Sequence, residues 1–547
     1  MKHLCYNDYM GRKTFLSGAA ILGAAGLLVQ MMGAVFRIPL ANIIGEVGMG
    51  YFQTAYPVYI FLLVFSTNGA PAAISKMTSE RIAEGRHAEA RRVFRLAFVI
   101  LFIFGLVAFG GVALLARPLS VFVGSEGSYD SLLAISPALL FVPLMSVFRG
   151  YFQGMQEMRP TAVSQLAEQA IRVATGLSLA VVLLPKGLEA ASAGACAGAS
   201  IGPVAGLLIL AVIYLRLDRR RDGGHASGGQ TPFAAAPPRA KRESAGSLIK
   251  TLIVLTVPTT IGISILPIMN VADMLICRLR LLDAGFSAQE AEGLYGLMAG
   301  FAAPIINIPM ALALSIALSM VPAVAAAGMR DREFLHKNVS MGLRTAMIIG
   351  VPCSLGLIVL AKPIMRLIYP AQADSAAGAA GCLAILGGGV IFLCVAQAMA
   401  GILQGLGKPS RPVLALLAGV AVKAVLTWIL TGIPEIHVNG AAFGSTAGYA
   451  VIGVMNLIFV KRFTGIRFDR ALSLIKPLLS GVVMGAVVLA AYRACGLAGI
   501  GGAAALPAIC AGAVAYGLMI LRTKAILPDE IALLPGGRRL LRLFGKH

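Results

Sequence analysis

Apolar stretches of about twenty residues recur along the whole chain, separated by short polar connections. Each is long enough to cross a hydrocarbon core of roughly 30 Å as a helix. Fourteen are predicted, near 15–36, 51–68, 94–115, 132–151, 162–184, 190–215, 248–270, 294–321, 342–361, 380–403, 412–432, 438–460, 472–493 and 497–521. Most are apolar nearly all round, so the 3.6-residue period is weak, as befits helices that meet lipid or other helices on every face. The expected class is an all-α polytopic membrane protein.

The polar punctuation repeats. Gly150-Tyr151-Phe152-Gln153-Gly154-Met155 returns as Gly401-Ile402-Leu403-Gln404-Gly405-Leu406. Ala191-Ser192-Ala193-Gly194 with Gly198 returns as Ala441-Ala442-Phe443-Gly444 with Gly448, and Leu115-Ala116-Arg117-Pro118 returns as Leu360-Ala361-Lys362-Pro363. The offsets are 251, 250 and 245, in the same order along the chain. A bundle of helices has been duplicated in one orientation, a plan common among transporters. Two pseudo-twofold related six-helix lobes follow, at 1–215 and 248–461, with an extra helix pair within 462–522. Residues 216–247, with Arg219-Arg220-Arg221, Gly223-Gly224 and Pro237-Pro238, are expected to be a flexible basic linker. Residues 523–547 are expected to be a basic tail.

Composition fits this class: 58% hydrophobic and 13% charged residues over 547 positions, with a mean hydropathy of +0.84. The net charge of +22 raises the question of nucleic acid. Its placement answers it. With the N-terminus inside, alternate connections collect 36 of the 46 Lys and Arg, the opposite connections 8 and the helices 2. That asymmetry is the positive-inside pattern, and it predicts both termini in the cytoplasm and no nucleic-acid partner. The cysteines are scattered without a C-x-x-C, and Arg12-Lys13 leads into a run too long for a cleaved leader.

Ionisable groups within membrane helices are costly and usually face a bundle interior or a wet path. The deepest here are Glu168, Arg172 and Lys423, and Arg172 and Lys423 stand 251 residues apart, in register with the repeat. Arg172 could instead pair with Glu168 one turn earlier, whereas Lys423 has no acid in its own helix. Arg37 and Arg278 lie at expected outer helix ends, where snorkelling is an alternative to a cavity role. Asp273, three residues after Asn270, could pair with Arg278 or exchange a proton or cation, and Glu168 is a second candidate for ion coupling. Gln153 and Gln404 could hydrogen-bond sugar hydroxyls or bind helix to helix. Pro39, Pro57, Pro71, Pro304 and Pro309 are expected kinks, with Arg37-Ile38-Pro39 closing the first helix and Asn68-Gly69-Ala70-Pro71 interrupting the second. There is no D-x-D, H-E-x-x-H or P-loop, so a transporter without cofactor or metal is expected rather than an enzyme or an ATP-driven pump.

Arg37-Ile38-Pro39-Leu40-Ala41, Gly48-Met49-Gly50-Tyr51-Phe52-Gln53-Thr54-Ala55-Tyr56-Pro57, Ala70-Pro71-Ala72-Ala73-Ile74-Ser75-Lys76 and, in the second lobe, Pro304-Ile305-Ile306-Asn307-Ile308-Pro309 resemble the stage V sporulation protein B family. That family belongs to the multidrug/oligosaccharidyl-lipid/polysaccharide exporters, which include the MurJ-type lipid II flippases. The resemblance spans roughly 11–525. It implies movement of an undecaprenyl-pyrophosphate-linked cell-wall precursor across the plasma membrane, with membrane lipids and cell-wall synthesis proteins as neighbours. Arg37 matches one of the cavity arginines of the MurJ-type pattern; a second would fall near Met31 and is not there. Another polyprenyl-linked polysaccharide, a cation-coupled drug antiporter of the same superfamily and a non-transporting scaffold for wall synthesis are the other readings.

Overall fold

The computed structural model describes residues 2–224, 243–327, 331–466, 468–497 and 504–526, and their regular structure is helical. In chain order the helices are α1 (Lys2–Val64), α2 (Ala70–Ala83), α3 (His87–Phe122), α4 (Tyr129–Ile135), α5 (Ala138–Gly154), α6 (Met158–Leu183), α7 (Leu188–Gly224) and α8 (Ala245–Asp283). They continue with α9 (Ala288–Gly296), α10 (Ala303–Ala327), α11 (Arg332–Val359), α12 (Ala361–Ile368), α13 (Ala373–Gly405), α14 (Ser410–Thr431), α15 (Asn439–Thr464), α16 (Lys476–Leu497) and α17 (Ala505–Arg522). Twelve stretches of the described residues are long and apolar enough to cross a membrane. One of them, Ile21–Val64, is 44 residues long and covers the first two expected segments. The seventh expected segment lies on α8, of which Ala245–Val257 counts as a shorter apolar helix. The protein is a multi-pass, all-α membrane protein.

As one straight rod the 63 residues of α1 would reach about 95 Å, far more than a bilayer. The break comes at Gly45, with φ 66° and ψ −169°. That backbone region is open essentially only to glycine. The first helix was expected to close at Arg37-Ile38-Pro39; it runs on instead, with Pro39 and Pro57 both inside helical turns. Proline removes one donor, which a membrane helix tolerates, whereas a sharp reversal needs a residue free to take positive φ. Pro71 stands in the first turn of α2, just after a π-helical turn at Phe65–Gly69. Pro304 likewise opens α10 after a π-helical turn at Leu297–Ala302, and Pro309 lies within α10.

Two compact units emerge, Met1–Leu275 and Ile276–His547. The boundary falls inside α8, so the first part of the helix that opens the second repeat packs with the first unit. Its start is tied there by Glu243, whose carboxylate is 2.6 Å from Arg81 and whose carbonyl accepts from Arg92 at 2.6 Å. Of the expected linker, residues 216–224 prolong α7, and 225–242 lie outside the described residues, as does the tail from 527.

Each unit repeats one packing scheme. In the first, α2 and α3 pack on α5, α5 packs on α7, and α6 pairs with α7; in the second, α10 and α11 pack on α13, α13 packs on α15, and α14 pairs with α15. The duplicated glycines are the close contacts. A Cβ at Gly198 would fall 2.7 Å from the Arg172 carbonyl oxygen, and one at Gly448 would fall 3.1 Å from Lys423 Cβ. Small residues let membrane helices approach where no hydrophobic force drives them together. The repeated Gln-Gly motif ends a helix in both units. Gln156 (φ 61°) and Gly407 (φ 71°) turn left-handed, and Glu157 and Lys408 donate back to Phe152 and Leu403, both at 2.9 Å. The extra pair α16–α17 packs on α11, and the Tyr516 hydroxyl donates to the Ile348 carbonyl at 3.0 Å, so it braces the second unit.

Candidate functional site

The break at Gly45 has a consequence for chemistry. On a continuous helix Arg37 and Tyr56, nineteen residues apart, would stand about 28 Å from one another. Folded back, the Arg37 guanidinium carbon lies 5.2 Å from the centre of the Tyr56 ring. α6 delivers a second cation to the same ring: Arg172 is 5.4 Å from Tyr56 and 6.0 Å from Tyr59. An aromatic ladder holds the ring in place. Phe36 and Phe52 are 6.2 Å apart, Phe52 stacks on Tyr56 at 5.4 Å, and Tyr59 follows at 5.8 Å.

The two ring distances sum to 10.6 Å, which is the greatest separation the guanidinium carbons can have. At that distance, in surroundings of effective dielectric near 20, like charges repel by about 1.6 kcal/mol. Each cation–π contact returns roughly 0.5–2 kcal/mol, so the ring about balances the repulsion without neutralising either charge. Among the described residues no salt bridge joins Arg37 or Arg172 to a carboxylate. The pair is therefore poised to gain from an anion.

Glu168 is committed elsewhere. Arg149 of α5 donates to it at 2.8 Å and to the Ser164 hydroxyl at 3.2 Å. The helix-turn pair of Glu168 with Arg172, open from spacing alone, is thus replaced by a pair between neighbouring helices. On the α6 face two turns before Arg172, the buried Gln165 side-chain oxygen has no hydrogen-bond partner among the described residues.

In the second unit the cations are placed differently. Lys423 is buried in the middle of α14, against the glycines of α15. Arg278 is fully buried and closes on Glu292 of α9 at 2.6 Å, a partner the spacing along the chain did not suggest. Asp273 lies half-buried on α8, while Gln153 and Gln404 stand at the ends of α5 and α13, half-buried and exposed respectively. Of the expected site residues the structure brings together Arg37 and Arg172, beside Tyr56 and Tyr59, which were not singled out from the sequence. A tyrosine in an apolar run reads as core; only the cations around it mark it.

Comparison with known proteins agrees with this architecture. The family model for polysaccharide biosynthesis proteins matches residues 15–328, and the MatE model matches 298–429. Among relatives, stage V sporulation protein B of Bacillus subtilis is 27% identical, covering 97% of this chain and 100% of its own length. The lipid II flippase MurJ of the same organism is 27% identical over 82% of this chain and 83% of its own length. A solved inward closed structure of the lipid II flippase MurJ superposes with a TM-score of 0.67 at 14% identity, covering 91% of this chain and 98% of the other. The fold is that of the multidrug and polysaccharide exporters.

Proposed function

Because this chain belongs to the polysaccharide biosynthesis protein family, we propose that it is a flippase carrying a polyprenyl-pyrophosphate-linked cell-wall precursor, lipid II-like, across the plasma membrane. The observation that carries the reading is the convergence of Arg37 and Arg172 on Tyr56 with no salt-bridged carboxylate among the described residues. A pyrophosphate cannot enter hydrocarbon unaided, and two guanidinium forks replace its water with charge-assisted hydrogen bonds. The lipid chain stays in the bilayer while the headgroup is passed between sides by alternating access. The relative named as a lipid II flippase supports the same class of cargo.

Lys423, which the repeat pairs with Arg172 at an offset of 251, is assigned to substrate binding. Asp273 is assigned to ion coupling. The charge asymmetry along the chain supports cytoplasmic termini and a cytoplasmic linker. A drug antiporter for cationic compounds would want unpaired acids beside its aromatics, and here Glu168, the acid one turn from Arg172, is taken by Arg149.

Native mass spectrometry of the purified protein tests the reading. Undecaprenyl-pyrophosphate-linked disaccharide is expected to bind, and a cationic dye is expected not to displace it. Binding of the dye with indifference to the pyrophosphate lipid would replace the flippase with an antiporter.

A further inference from the structure

Arg37 and Arg172 come from different helices, carry the same charge, and meet on one uncharged ring. We propose that Tyr56 is a positioning residue that holds the two guanidinium groups as a clamp, and thereby makes the site prefer a diphosphate over a monophosphate linkage in a polyprenyl lipid. The inference rests on the flippase reading of this same site.

Three observations carry it. First, nothing else described gathers the two cations: neither has a salt bridge, and the contacts they share are with Tyr56. A carboxylate at this place would gather them too, but would cancel the charge that the substrate needs. An aromatic face attracts cations through its quadrupole and yields them to a full negative charge. Second, the ring is itself fixed, stacked on Phe52 at 5.4 Å with 19° between planes and flanked by Tyr59. Third, the clamp exists only because the chain reverses at Gly45, which brings Arg37, before the reversal, to the ring of Tyr56, after it, where Arg172 arrives from α6.

The chemistry of preference follows from the count of forks. One guanidinium satisfies one phosphate in a bidentate manner. The second phosphate of a diphosphate gains only if a second guanidinium is already held within reach, with its rotamer entropy already lost. Removing the ring lets the like charges part, so the diphosphate loses more than the monophosphate does.

The test uses the full-length protein in lipid nanodiscs, with undecaprenyl pyrophosphate and undecaprenyl phosphate as the probes. The wild type is expected to prefer the diphosphate. In Tyr56→Leu the ratio of the two affinities should fall by about fivefold, the size of one well-shielded cation–π contact. Tyr56→Phe, which keeps the ring face but loses the hydroxyl that accepts from Arg37 and Arg172, should recover part of that ratio. If Tyr56→Leu does not accumulate, Tyr56→Met, another side chain without a ring, carries the same comparison. A Leu or Met variant with the wild-type ratio overturns the role given to Tyr56. A wild type that binds neither lipid removes the flippase reading itself, which is a different outcome from a wild type that binds both lipids equally and so lacks the clamp.

Discussion

Arg37 and Arg172 face tyrosine rings, whereas Arg149 and Arg278 are closed by carboxylates, at 2.8 Å to Glu168 and 2.6 Å to Glu292. The partner decides what each arginine does. Removing one member of a buried ion pair leaves a stranded charge and costs about 3–5 kcal/mol. Arg278 is wholly buried, so Arg278→Ala should lower the melting temperature and the yield of the solubilised protein. Arg37→Ala should leave both near wild type. Thermal unfolding followed by size-exclusion fluorescence checks this, and an Arg278→Ala protein that melts with the wild type would contradict it. Legibility at this scale was partial. Depth in an apolar run singled out Arg172, Glu168 and Lys423 without a structure, but Glu168 one turn from Arg172 looked like a pair. Its actual partner is nineteen residues away on the preceding helix, and no periodicity along one helix reports a contact between two.

Gly45 shows the same limit for elements. Proline is the usual mark of a broken helix, and five prolines were expected to bend this one and its repeat. Yet Pro39 and Pro57 sit within helical turns while the chain reverses at a glycine among other glycines, in a stretch where no residue type stands out. An alanine forced to φ 66° and ψ −169° would cost roughly 1–3 kcal/mol. Gly45→Ala is therefore expected to lower the melting temperature and to abolish binding of the pyrophosphate lipid, because the approach of Arg37 to Tyr56 depends on the reversal. Pro39→Ala should cost less stability than Gly45→Ala. Equal or opposite effects in the same unfolding assay would place the hinge at the proline after all. The glycines that pack helix on helix were easier to read, since the duplication itself flagged them. Gly198 and Gly448 approach the cation-bearing helix in both units, each against the backbone or Cβ of the residue that the repeat pairs with the other.

For the whole molecule, hydropathy and duplication revealed the class, the fourteen apolar segments and the two-fold plan, because bilayer thickness and gene duplication both leave periods in the chain. Among the described residues twelve helical stretches are long and apolar enough to cross a membrane. The dividing point was less visible: compactness assigns the first part of α8 to the first unit, through contacts such as Arg81 with Glu243 that link residues 162 apart. The central claim is that the chain moves a pyrophosphate-linked lipid using Arg37 and Arg172. Its most direct test is translocation of a fluorescent undecaprenyl-pyrophosphate disaccharide in proteoliposomes, read by quenching of the label on one leaflet. The wild type is expected to translocate it. Arg37→Ala and Arg172→Ala should each slow it by about tenfold or more, the loss of one charge-assisted bidentate contact to phosphate, while reconstituting normally. Translocation at the wild-type rate by either variant, or none by the wild type, would contradict the account.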